Sequence, residues 1–112
     1  MNIKRGDVYY VNLDSKDKFQ TSGNRPCVIV QNNKGNTFSP ITIICPITSR
    51  HKNYNFTHVD TRIQDREATI LCEQIRVIDK SRLEKKIGEV PKNDVLKLNK
   101  KLEMLLSIGG SE

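Results

Sequence analysis

Apolar residues along this chain fall into short runs parted by polar turns, and only the last stretch changes period. Residues 7–13 (DVYYVNL) are rich in β-branched and aromatic side chains, with Gly6 and Asp7 supplying a turn before them, and predict a first strand. Residues 27–31 open on four consecutive apolar side chains and predict a short strand covered on both faces. Between them, residues 14–24 (DSKDKFQTSGN) are polar and end in Gly23 and Asn24, which predicts a long mobile loop. The NNKGN run after the second strand is a hairpin-type turn signal, because Asn and Gly tolerate positive φ.

Residues 40–48 (PITIICPIT) form another strongly β-branched run. Counting by two puts Ile41, Ile43, Cys45 and Ile47 on one face and Thr42, Ile44, Pro46 and Thr48 on the other. Pro46 lacks a donor, so the ladder is interrupted there or lies at an edge, leaving Thr48 at a strand end. THVD at 57–60 resumes a strand. Residues 67–78 (EATILCEQIRVI) are strand-like throughout, with a bulge or bend where Glu73 and Gln74 break the apolar positions, and KIGEV at 86–90 adds a short strand. The period then lengthens. Val95, Leu98, Leu102 and Leu105 recur at spacings of three and four, which predicts a helix over 92–108 stopped by Gly109 and Gly110. Lys97, Lys100 and Lys101 lie off that stripe, as a solvated face.

Five or more short strands followed by one amphipathic helix, with no internal repeat, predict a mainly β protein. The architecture expected is an SH3-like barrel or a strongly bent antiparallel sheet with the helix packed against it. The 112 residues are expected to form a single domain. Tryptophan is absent, so the core rests on Ile, Val and Leu. Cys27, Cys45 and Cys72 are odd in number, sit in apolar runs and lack CxxC spacing, which favours core residues over disulfides or zinc. The N-terminal MNIKRGD holds no export-type segment and no run approaches membrane-spanning length, so a cytoplasmic location is expected.

A net charge of +6 favours an acidic partner: nucleic acid, an acidic protein segment or an anionic surface. Arg25, in GNRPCVIVQN, stands where a turn meets a buried strand, and its planar guanidinium matches a phosphate group. Capping the turn or pairing with a carboxylate is the plainer alternative. Residues 49–56 (SRHKNYNF) interleave Arg50, His51 and Lys52 with Tyr54 and Phe56, so that charge can hold backbone phosphates while rings stack on unpaired bases. A solvated hairpin tip with its rings turned inward fits the same residues. Phe19 either folds back on the core or stacks on a base. His51 reads as an exposed bystander and His58 as structural. No Walker loop, dinucleotide fingerprint, nucleophile elbow or metal-ligand cluster occurs, so no cofactor and no metal is implied. Cations and hydroxyls at strand ends suit metal-free RNA cleavage, in which the ribose 2′-hydroxyl attacks its own phosphate.

RGDVYYVNL at 5–13, RPCVIVQNNKGN at 25–36, SPITIICPIT at 39–48, THVD at 57–60 and ILCEQIRVIDKSRL at 70–83 resemble successive blocks of the MazF/PemK family of toxin endoribonucleases. The blocks run in the family's order over nearly the whole chain. The resemblance implies a homodimer of SH3-like barrels that cuts single-stranded RNA, chiefly messenger RNA, at short motifs without a metal. The cut ends that the resemblance implies are the family's usual ones, a 2′,3′-cyclic phosphate and a 5′-hydroxyl. It also implies an antitoxin partner whose acidic, flexible tail occupies the RNA groove.

Carried over residue by residue, the family's catalytic arginine falls on Arg25 and its threonine on Thr48, followed by Ser49. Arg25 serves phosphate binding and transition-state charge, since its pKa is too high for a good general base. Phe19, Gln20, Ser49, Arg50, His51, Lys52, Tyr54 and Phe56 are the expected RNA-binding residues. One departure is Gln20, which stands where many members carry a glutamate: either that carboxylate is dispensable, or His51 or Arg50 replaces it. CcdB-type gyrase poisons share the fold but depend on a C-terminal tryptophan, whereas this chain ends in Gly-Gly-Ser-Glu. A non-catalytic RNA- or protein-binding barrel is the third reading; it predicts salt-sensitive binding without a cut product.

Overall fold

The computed structural model describes residues 2–14, 20–49 and 56–110. Among them are seven strands: β1 (Asp7–Leu13), β2 (Gly23–Ile29), β3 (Ile41–Thr48), β4 (His58–Ile63), β5 (Arg66–Leu71), β6 (Arg76–Asp79) and β7 (Leu83–Glu89). Two α-helices join them, α1 (Asn33–Phe38) and α2 (Lys92–Leu105). The strands follow the order β4-β5-β3-β2-β1-β7, with β6 also on β3. The pairings are antiparallel. The sheet is not closed: β4 and β7 stand at the two ends of this path, so the expected bent antiparallel sheet is present without a continuous barrel ladder.

β3 is the centre, and it changes partner along its length. Ile41 to Ile44 pair with β6, whereas Ile47 and Thr48 pair with Ile70 and Thr69 of β5. Cys45 and Pro46 fall at the handover. The interruption expected at Pro46 therefore exists, but within a central strand, where a residue lacking an N–H is tolerated because the ladder is changing hands. Residues 67–78 are correspondingly two strands and not one bulged strand. A 3-10 turn at Cys72–Gln74, with Cys72 fully buried, carries the chain past the handover.

The NNKGN segment also departs from expectation, forming the start of α1 and not a hairpin turn. Asn32 caps the helix by accepting the Gly35 N–H at 2.7 Å. Asn36 is buried: its Nδ2 donates to the Gln31 carbonyl (2.9 Å), and its Oδ1 accepts from Gln31 Nε2 (3.1 Å) and Thr42 Oγ1 (2.7 Å). A buried amide whose oxygen and nitrogen both find partners favours the helical path over an exposed turn. The turn that does join adjacent strands directly is Gln64–Asp65 between β4 and β5, with φ of 52° and 63°, the left-handed geometry of tight hairpins.

Side-chain alternation divides the core between the sheet's two faces. Val8, Val28, Cys45, Ile47 and Ile70 lie on one, covered by Leu98 and Leu102 of α2. Tyr9, Val11, Leu13, Cys27, Ile29 and Ile44 lie on the other. Val95 and Leu105 pack beside Leu98 and Leu102, completing the predicted stripe. The helix ends at Leu105, short of the expected 108, because Ser107 takes a left-handed φ of 53° before Gly109 is reached. Among the described residues no helix is long and apolar enough to cross a membrane.

All three cysteines are free and buried. Burial pushes the thiols of Cys27 and Cys72 up to about 12, and raises Cys45 as well. Folding thus favours the protonated thiols, a contribution that is complete below the ordinary thiol value of 9.0 and lost as pH climbs towards about 12. At pH 8 the folded protein is expected to resist a disulfide-exchange reagent, with three thiols reacting only once denaturant is added. Rapid labelling before unfolding would contradict this packing.

Candidate active site

β2 and β3 run side by side only as far as Cys27↔Pro46. Carrying that register on by two residues sets Arg25 opposite Thr48, beyond the end of the ladder. There the strands part: β2 stays with β1 through Val11↔Arg25, while β3 turns to β5 through Thr48↔Thr69. Pro26 and Pro46 stand at the parting point, and neither can donate a ladder hydrogen bond. Two strands of one sheet are thereby spread open beneath an arginine and a threonine.

The result is a depression of about 300 Å³ whose lining includes Arg25, Thr48, Ser49, Tyr10, Arg66 and Glu67. Arg25 is exposed, the third residue of β2, and Cys27, Val28 and Ile29 after it are fully buried. Its Nε donates to the Ser22 carbonyl at 3.3 Å. That contact fixes the guanidinium by one edge and leaves the terminal nitrogens without a partner among the described residues. Thr48 is half-buried at the end of β3, the strand-end position expected for it.

Of the expected RNA-binding residues, Ser49 lines this depression. Gln20 does not: its Oε1 accepts from Arg76 Nη1 at 3.0 Å, on the neighbouring surface. Phe56 is largely exposed, just before β4. Phe19, Arg50, His51, Lys52 and Tyr54 lie outside the described residues. His58 is buried in β4 with Nε2 3.0 Å from Glu73 Oε2, in keeping with a structural role. Among the described residues no three His, Cys, Asp or Glu side chains gather as they would to hold a metal ion.

Tyr10, Arg66 and Glu67 carried no linear signal. Arg66 and Glu67 arrive only because the β4–β5 hairpin brings β5 onto the end of β3. Glu67 is the carboxylate in the lining, and with Arg25 and Arg66 it gives the depression two cations, one anion and hydroxyls. Such a set can bind a phosphodiester, stabilise charge on its oxygens and accept a proton.

A small bent antiparallel sheet with a C-terminal helix and a cationic site at parting strand ends is the class to which the chain belongs by fold. The same fold is found in MazF from Deinococcus radiodurans, which matches with a TM-score of 0.85 at 24% identity over 96% of this chain and 99% of that one. It is found too in a mycobacterial endoribonuclease solved in complex with its cognate antitoxin, with a TM-score of 0.81 at 24% identity, covering 95% and 96% of the two chains. Residues 4–106 match the family of PemK-like, MazF-like toxins of type II toxin-antitoxin systems, and the chain is a member of that family. It is 36% identical to the endoribonuclease EndoA of Bacillus subtilis over 96% of its own length and 97% of the relative's. It is 34% identical to the endoribonuclease MazF of Staphylococcus saprophyticus, over 95% and 92%.

Proposed function

We propose that this protein is an endoribonuclease toxin that cuts single-stranded RNA, chiefly messenger RNA, at short sequence motifs and without a metal. The observation that carries the reading is that Arg25 and Thr48 line one depression where β2 and β3 part. In the reaction the ribose 2′-oxygen forms a bond to the adjacent phosphorus and the bond from phosphorus to the 5′-oxygen breaks. One proton leaves the 2′-hydroxyl and one reaches the departing 5′-oxygen, giving a 2′,3′-cyclic phosphate and a 5′-hydroxyl.

Arg25 binds the phosphate and stabilises the extra negative charge of the phosphorane-like transition state, while the Thr48 hydroxyl donates to a phosphate oxygen. Gln20 cannot accept the proton as a carboxylate would. Glu67, in the lining of the depression, is the carboxylate suited to that task. The curated relatives are named as endoribonucleases, which supports the reaction class. By analogy with the mycobacterial complex, the natural inhibitor is a cognate antitoxin, and an acidic flexible tail is the kind of segment that suits the cationic depression. The working form is a cytoplasmic homodimer.

The test is incubation with a long mixed-sequence RNA in excess EDTA, with mapping of both new ends. Discrete cuts bearing a cyclic phosphate are expected. Intact RNA, alongside binding that weakens with salt, would replace the nuclease with a binding module. Glu67→Gln in the same assay is expected to slow cutting about 100-fold.

A further inference from the structure

Arg76 opens β6 opposite Ile44, on the face of the sheet that carries Cys27 and Ile29. Its guanidinium is half-buried, and burial lowers its pKa from the ordinary arginine value. A cation so placed needs directed acceptors. The acceptors the structure supplies come from one segment: Nη1 donates to Gln20 Oε1 at 3.0 Å, and Nη2 donates to the Thr21 carbonyl. The same segment is gripped from Gln74, whose Oε1 accepts both the Thr21 N–H (2.8 Å) and the Thr21 hydroxyl (2.7 Å). Two side chains flanking Ile75 thus hold both peptide groups and the side chain of Thr21. The next residue is Ser22, whose carbonyl receives Arg25 Nε.

We propose that Arg76 is a positioning residue for RNA cleavage: through Gln20 and Thr21 it fixes the Ser22 carbonyl that orients the Arg25 guanidinium. Gln74 assists by holding Thr21 from its other side. This rests on the reading of Arg25 as the phosphate-binding catalytic residue. It also gives Gln20 a role in which a carboxylate is not required, since an amide oxygen serves Arg76 as acceptor. The tethers lie at the mouth of the 14–22 connection, so the grip acts on the backbone leading into β2 and leaves the β1–β2 ladder untouched.

The experiment is a kinetic cycle on a short labelled RNA under saturating and subsaturating enzyme, using Arg76→Ala, Arg76→Lys, Arg25→Lys and the double variant Arg25→Lys with Arg76→Ala. Lysine at 25 keeps a charge but has no Nε to donate to Ser22. Arg76→Ala is expected to lower kcat by about 100-fold with KM changed less than about 3-fold, the mark of a mis-set group and not of lost binding. In the Arg25→Lys background the same change is expected to cost less than about 3-fold, because the contact it acts through is already gone. The Arg25 Nε–H resonance, assigned by its loss in Arg25→Lys, should lose its protection from solvent exchange in Arg76→Ala.

Multiplicative losses in the double variant, or an undisturbed Arg25 resonance, would overturn the proposal. If Arg76→Ala does not fold, Arg76→Lys serves instead, since it keeps the charge and stem but cannot reach two acceptors from one plane. Full cleavage by Arg25→Ala would signal something different, namely that the assignment of Arg25 itself has failed.

Discussion

Arg25→Ala is expected to lower the rate of RNA cleavage by about 1,000-fold, the size of effect seen when a preorganised charge-stabilising donor is removed from a transition state. The melting temperature should move by less than about 2 °C, since an exposed side chain with a single 3.3 Å contact contributes little to folding. RNA end-mapping and thermal denaturation on the same preparation check both halves. A large drop in melting temperature with activity retained would make Arg25 a structural cap of the strand entry, the plainer alternative considered from the sequence.

Ile44→Ala is expected to do the reverse. Ile44 is fully buried in the central strand, flanked in register by Ile29 on β2 and Arg76 on β6. Its truncation removes apolar contacts on both sides and leaves a cavity that paired strands cannot close, a loss of about 3 kcal/mol. For a chain of this size that corresponds to a fall of about 12 °C in melting temperature. Cleavage measured well below the transition should fall by no more than about 10-fold, a loss passed on through the neighbouring Arg76 and far smaller than that of Arg25→Ala, because no polar group of the depression is itself removed. A rate loss as severe as that of Arg25→Ala at a temperature where the variant is folded would show that the core and the depression are mechanically coupled. The two substitutions together separate chemistry from stability.

What could be read in the chain before folding was whatever local pattern decides. The β-branched runs at 7–13 and 40–48 became β1 and β3, and the stripe of Val95, Leu98, Leu102 and Leu105 became α2, since burial of one face follows directly from period. What could not be read depended on partners far along the chain. Asn32–Asn36 has turn-type residues, yet Asn36 reaches Gln31 and Thr42, and those contacts make a helix. Glu73 and Gln74 marked a disturbance within 67–78, but only the exchange of β6 for β5 along β3 requires a 3-10 turn there. The site divides in the same way. Arg25 before a proline and Thr48 at a strand end occupy legible places, but the resemblance to the family's blocks, and not their spacing, is what marks them as catalytic candidates. Arg66 and Glu67 look like ordinary charged strand residues until the hairpin carries them to the depression.

The open ends of the sheet have a consequence for how the protein behaves when it accumulates. β7 is the terminal strand beyond β1, and an uncovered strand edge can recruit another chain edge to edge. Here that edge bears Glu84, Lys85 and Lys86, all exposed, with Lys86 3.3 Å from Asp7 and 3.4 Å from Glu89. Charges on an outermost strand keep such edges apart, since stacking two copies would desolvate them and set like charges side by side. The charged edge thus guards a partly open sheet against fibre formation at high concentration.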